Sequence, residues 1–212
     1  MRVGSVSVAG FTSTAALVLN VSSFGGGITN SGTVSLATPG VGSGINVSGV
    51  STFTGGISNL GTITGALTGI QIGAVVTLPT GSGAQIGGYS VSTFSGGVLN
   101  SGTIAGAGIG AGIAVAGVVT FQNGITNIGV ISGVSTGIQV GSVARTPSST
   151  LLSVVTFAGG ITNSGMISGT RVGIFVNGKN KNAINLDYDP KDHTLNFSPE
   201  DVRFLEGPGG IN

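Results

Sequence analysis

Residues 121 to 133 read FQNGITNIGVISG, and the same thirteen-residue phrase is written four more times in the chain. It opens at Phe24 (FGGGITNSGTVSL), Phe53 (FTGGISNLGTITG), Phe94 (FSGGVLNSGTIAG) and Phe157 (FAGGITNSGMISG), with the shared pattern F-x-x-G-[IV]-x-N-x-G-x-[IV]. Recurrence at intervals of a few tens of residues marks a stacked repeat, in which no unit buries its apolar positions alone. Phe-to-Phe spacings are 29, 41, 27 and 36 residues.

Working outward, each phrase is preceded by a run-in of the form V-x-[ST]-F, as at Val50-Ser-Thr-Phe53, Val91-Ser-Thr-Phe94, Val118-Val-Thr-Phe121 and Val154-Val-Thr-Phe157. Each is followed by a G-I-x-[VI] element: Gly44 to Val47, Gly69 to Ile72, Gly112 to Val115, Gly137 to Val140 and Gly173 to Val176. The apolar residues alternate with a period of two between Gly, Ser, Thr and Asn, which suits short strands with one face inward. No stretch before residue 198 has the i, i+3, i+4 spacing of a helix. One repeat therefore reads as one coil, and the chain as an all-β, right-handed parallel β-helix (β-solenoid) of about five repeat coils. Residues 1–178 form the repeats and residues 179–212 a charged C-terminal capping segment or final coil.

Position within the coil assigns each column a role. Phe24, Phe53, Phe94, Phe121 and Phe157 are expected to stack inside as an aromatic core, beside the Ile and Val columns of the same phrase. Asn30, Asn59, Asn100, Asn127 and Asn163 form the other unvarying column. Asn at a bend can bond backbone groups and the Asn above and below it, making a structural Asn ladder. The plainer alternative is a turn of positive φ. The ladder is preferred because a turn alone would let Asp substitute, and no Asp occurs in the column.

Between the G-I-x-[VI] element and the next run-in, two connections are long. Nineteen positions separate Ile72 from Val91 and fourteen separate Val140 from Val154, against three in the connections from Val47 to Val50 and Val115 to Val118. Both insertions leave one corner of the coil. They carry the candidate binding residues Pro79, Tyr89, Arg145 and Pro147, since insertions on one face of a repeat scaffold commonly bind.

Composition narrows the function classes. The 212 residues include 42 glycines and no cysteine, and only 6% are charged, with a net charge of +1. Arg2 and Arg145 are the sole charges before Arg171. A chain without clustered Lys and Arg has no track for phosphates, so no nucleic-acid partner is expected. Glycoside hydrolysis needs paired carboxylates, yet no Asp or Glu precedes Asp187. No enzyme activity and no cofactor are therefore expected. His193, beside Asp192, reads as a solvated turn because no nucleophile elbow accompanies it. Asp187, Asp189 and Asp192 offer oxygen ligands for calcium, but their spacing matches neither an EF-hand nor a calcium β-roll; surface charge is the alternative. No polar-free stretch reaches membrane-spanning length, and Val3 to Leu19 is too interrupted by Gly, Ser and Thr for a leader. Ser198-Pro-Glu-Asp201 reads as a helix start within the cap.

The phrases FTGGISNLGTITG and FAGGITNSGMISG, with G-I-Q-V and V-S-T-F between them, resemble the passenger repeats of bacterial autotransporters, the type V secreted proteins. The resemblance spans roughly residues 17 to 176. It implies export through an outer-membrane barrel of a full-length protein and an extracellular or cell-surface location. It further implies a structural or adhesive role toward a host-surface or glycan ligand. The alternative is homotypic self-association into an extracellular fibre. Ice binding is a minor alternative, as is a carbohydrate-active β-helix; the Thr62/Thr64 pair suits ordered water, but its file degrades to Met166/Ser168.

Overall fold

The computed structural model describes residues 15–36, 42–73, 91–108, 110–141 and 154–176, and the backbone of strands Arg2–Val3, Leu186–Asp189 and Thr194–Phe197. Among the described residues all regular structure is strand, and no helix occurs. The strands of the repeats pair in parallel and gather into three sheets.

The first half of every phrase supplies one five-stranded sheet: Ile28–Asn30, Ile57–Asn59, Val98–Asn100, Ile125–Asn127 and Ile161–Asn163. The second half supplies another: Thr33–Ser35, Thr62–Gly65, Thr103–Gly106, Val130–Gly133 and Met166–Gly169. Run-ins and G-I-x-[VI] elements share a third, ten-stranded sheet. Pairing is in register from repeat to repeat, Phe on Phe, Asn on Asn and Ile on Ile. A one-residue slip would turn every apolar side chain outward, so the period-two pattern itself holds the register.

That register fills the interior with columns of like side chains. Phe53, Phe94 and Phe121 are fully buried, as are Ile63, Ile104 and Ile131. Neighbouring rings stack with centroids 4.7 to 5.0 Å apart and planes within 14° of parallel. The separation follows from the roughly 4.8 Å spacing of paired strands. Offset stacking at that distance adds to area burial.

Two features differ from the sequence expectation. The strands of the large sheet are not all short: Ala16–Phe24 and Ser43–Phe53 run without a break through both the G-I-x-[VI] element and the run-in. Asn20 and Gly49, paired columns of those strands, take up left-handed φ of 54° and 62° in mid-strand and absorb the kink. Gly117, with φ 67° at the corresponding place, instead separates Ala111–Ala116 from Val118–Phe121. The two insertions therefore leave not a corner but the line of a sheet strand, at Gly73 and Gly141. Second, Ser43 to Ser48, Thr68–Gly73 and Ala111–Ala116 are buried on both faces, not one. Parallel strands covered on both sides are a stable arrangement, and small residues let the backbone be covered closely.

The two described strands of the tail do not join the parallel sheets. Leu186–Asp189 and Thr194–Phe197 pair with each other, antiparallel, in a sheet of their own. Thr194–Phe197 lies against Ile161–Asn163 at the end of the repeats. The helix read at Ser198 lies outside the described residues.

Candidate functional site

The Asn column sits where the first phrase sheet bends into the second. Asn59, Asn100 and Asn127 are fully buried, and Asn30 nearly so. Asn59 Nδ2 shares its two hydrogens among three acceptors: Gly61 O in its own turn (3.1 Å), and Asn100 Oδ1 (2.8 Å) and Thr103 O (3.1 Å) of the next repeat. Asn30, Asn100 and Asn127 repeat the set, with amide-to-amide distances of 2.8, 2.7 and 2.7 Å. The Asn carbonyl of each repeat accepts two backbone N–H groups from the next, as Asn59 O does from Ser101 and Gly102. At this bend the strand ladders are interrupted, and the Asn side chain supplies the missing partners. The amides of Asn59, Asn100 and Asn127 face the stack and are bonded within it on both sides, so their chemistry is structural.

Asn127→Ala is accordingly expected to cost about 1 to 3 kcal/mol, because several buried acceptors lose their donor. Asn127→Asp is expected to be worse at neutral pH, where a carboxylate would face Gly129 O, Asn163 Oδ1 and Met166 O. The neutral acid still donates once, so folding raises this carboxyl's pKa above its unfolded value of about 3.9. Stability of the Asp variant is then greatest below about pH 4 and falls as pH rises. Urea melts across pH check this; parent-like curves for both variants would sink the bonding role.

The outer surface carries a feature that the phrase-centred reading passes over. Ser23, Thr52, Thr93, Thr120 and Thr156 pair in register and form an unbroken hydroxyl file on the large sheet. The third letter of V-x-[ST]-F is its sequence signal. The neighbouring file on the first phrase sheet, Thr29, Ser58, Leu99, Thr126 and Thr162, is broken by Leu99. Leu60, Leu99 and Ile128 stand exposed on that side.

Pro79, Tyr89, Arg145 and Pro147 lie outside the described residues, as do Asp192 and His193. Their points of departure are described. Gly73 pairs with Ala116, and Gly141 N donates to Val115 O at 2.7 Å, so both insertions leave at the same column. Their strands, Thr68–Gly73 and Thr136–Val140, flank Ala111–Ala116 on either side. The two exits are thus two strand spacings, about 10 Å, apart. Asp187 and Asp189 fall in the tail strand Leu186–Asp189. Among the described residues no group of three or more His, Cys, Asp or Glu comes together.

Comparison with protein-family models, curated proteins and solved structures finds no match.

Proposed function

We propose that the chain is a right-handed parallel β-helix of about five repeat coils with a charged C-terminal cap, acting as a non-catalytic scaffold of the autotransporter-passenger type. Its role is structural or adhesive, at the cell surface, toward a host-surface or glycan ligand. In-register stacking of every repeat supports the β-helix reading. Right-handedness follows the general bias of parallel crossovers.

The observation that carries the adhesive reading is the shared departure column of the two long insertions. The Phe and Asn columns run through the stack on contacts between the repeats themselves, without a residue of either insertion. The connections that hold Gly49 and Gly117 span only three positions, from Val47 to Val50 and from Val115 to Val118, and show how little is required. Two insertions that depart two strands apart on one sheet can contribute jointly to a binding surface. Non-catalytic function is supported by a repeat region with no carboxylate before Asp187.

Deleting residues 74 to 89 and 142 to 152, which leaves the three-position connection of the other repeats, is expected to keep the β-rich circular dichroism intact, since shorter loops close more readily. Binding to cell surfaces or glycan arrays should fall. Binding that survives the deletions would move the site to the repeat faces, and collapse of the fold would make the insertions part of the core.

A further inference from the structure

The N-terminal edge of the phrase sheets differs from every internal junction of the stack. At each junction the Asn of one repeat donates from Nδ2 to the Oδ1 of the next. Asn30 gives such a bond and, among the described residues, receives none. Its Oδ1 accepts instead from Gly32 N at 3.2 Å, within its own turn. The glycines in the same column as Gly32 do not bond this way. Gly61, Gly102, Gly129 and Gly165 each donate N–H to the Asn carbonyl of the preceding repeat, at 3.2 to 3.3 Å.

Space tells the same story. A Cβ built on Gly61, Gly102, Gly129 or Gly165 would come within 2.0 to 2.1 Å of the carbonyl oxygen of the preceding glycine in the column, whereas one built on Gly32 meets nothing within 4 Å. Phe24, Ile28 and Val34 are only partly buried, although their counterparts Phe53, Ile57 and Ile63 are enclosed. At the opposite end Ile161 is 1% exposed, and Thr194–Phe197 lies against its strand. In the large sheet, too, Arg2–Val3 continues past Leu17 and Val18. At this end the open edge comprises Phe24, Ile28–Asn30 and Thr33–Ser35; at the other end Met166–Gly169 and Val172–Val176 are also only partly covered.

We propose that this edge binds an extended segment of a second polypeptide carrying the repeat's own phrase, F-x-x-G-[IV]-x-N-x-G, added as a parallel strand. Addition of a strand to a sheet edge is a general mode of peptide recognition, with main-chain bonds giving affinity and alternate side chains giving selectivity. Here the incoming Asn amide donates to Asn30 Oδ1, and the incoming Asn carbonyl takes over Gly32 N. The incoming ring lies on Phe24 as the internal rings lie on one another. Two such edges do not pair with each other, because that arrangement sets one Asn30 Oδ1 acceptor against another. The inference rests on the stacked arrangement and not on the adhesive role, so either can fail alone.

The test uses the full chain and a fluorescent synthetic peptide of residues 157–169, FAGGITNSGMISG, followed by anisotropy. Saturable one-to-one binding is expected. Gly32→Ala should weaken it at least about tenfold, since the new methyl occupies the place of the carbonyl of the second glycine of the incoming phrase, as at the internal junctions. The melting midpoint of that variant should match the parent, which separates a blocked edge from a damaged fold. A peptide with Asn163→Leu should also bind about tenfold less well, having lost the amide that reaches Asn30. Equal affinity of parent and Gly32→Ala, or no saturable binding to the parent, overturns the proposal.

Discussion

Gly102→Ala is expected to remove about 3 to 5 kcal/mol of stability, among the largest losses any single methyl can cause in this chain. The added carbon would lie 2.0 Å from Gly61 O and 2.8 Å from Leu60 C, both backbone. Neither can yield cheaply. Gly61 O already accepts Thr103 N at 2.9 Å and Asn59 Nδ2 at 3.1 Å, so moving it breaks the strand ladder and the Asn bend together. The same methyl at Gly32 meets open space and should change stability by no more than about 0.5 kcal/mol. Paired urea melts of the two variants give the answer. Similar midpoints would mean that the repeats do not pack as closely at this column as the geometry requires.

Phe94→Ala is expected to cost about 3 to 5 kcal/mol, the range for emptying a buried aromatic site. Phe94 is fully buried, with rings above and below at 4.7 and 5.0 Å. Parallel strands on both sides hold Phe53 and Phe121 in place, so the cavity cannot close by collapse. Phe24→Ala should cost clearly less, because Phe24 is partly exposed and, among the described residues, has a single stacked neighbour. Thermal or urea unfolding of both variants measures the difference. Equal losses would show that the N-terminal ring is enclosed like the others, and would also count against the open edge.

Much of the fold was legible in the residues because the architecture repeats. Five copies of one phrase supply their own alignment, so the columns can be read directly, and the strand register pairs Phe53 with Phe94 and Asn59 with Asn100. The path between phrases was less legible. Gly49 looks like a turn former, yet it kinks a strand without ending it, since a positive φ permits a bulge as readily as a turn, whereas Gly117 does separate two strands. Burial of Asn46 and Gln71 was not foreseen, because a period-two pattern assigns such residues to the outer face and says nothing of what covers that face. The hydroxyl file ending at Thr156 was visible as letters, but only the register turns five separate letters into a line. Function was the least legible, because the insertions vary while the columns repeat.

The ladder of amides also bears on how such a chain reaches its native state. Each contact from one Asn to the next joins residues 29, 41, 27 or 36 positions apart, and adding a sixth or twentieth repeat would leave those separations as they are. In most β-rich proteins the distance along the chain between partners grows with size, and folding slows accordingly. Here the search that each strand must make is bounded by one repeat. A chain of this kind can be lengthened without becoming slower to assemble per repeat, and it can zip up from whichever end is first released.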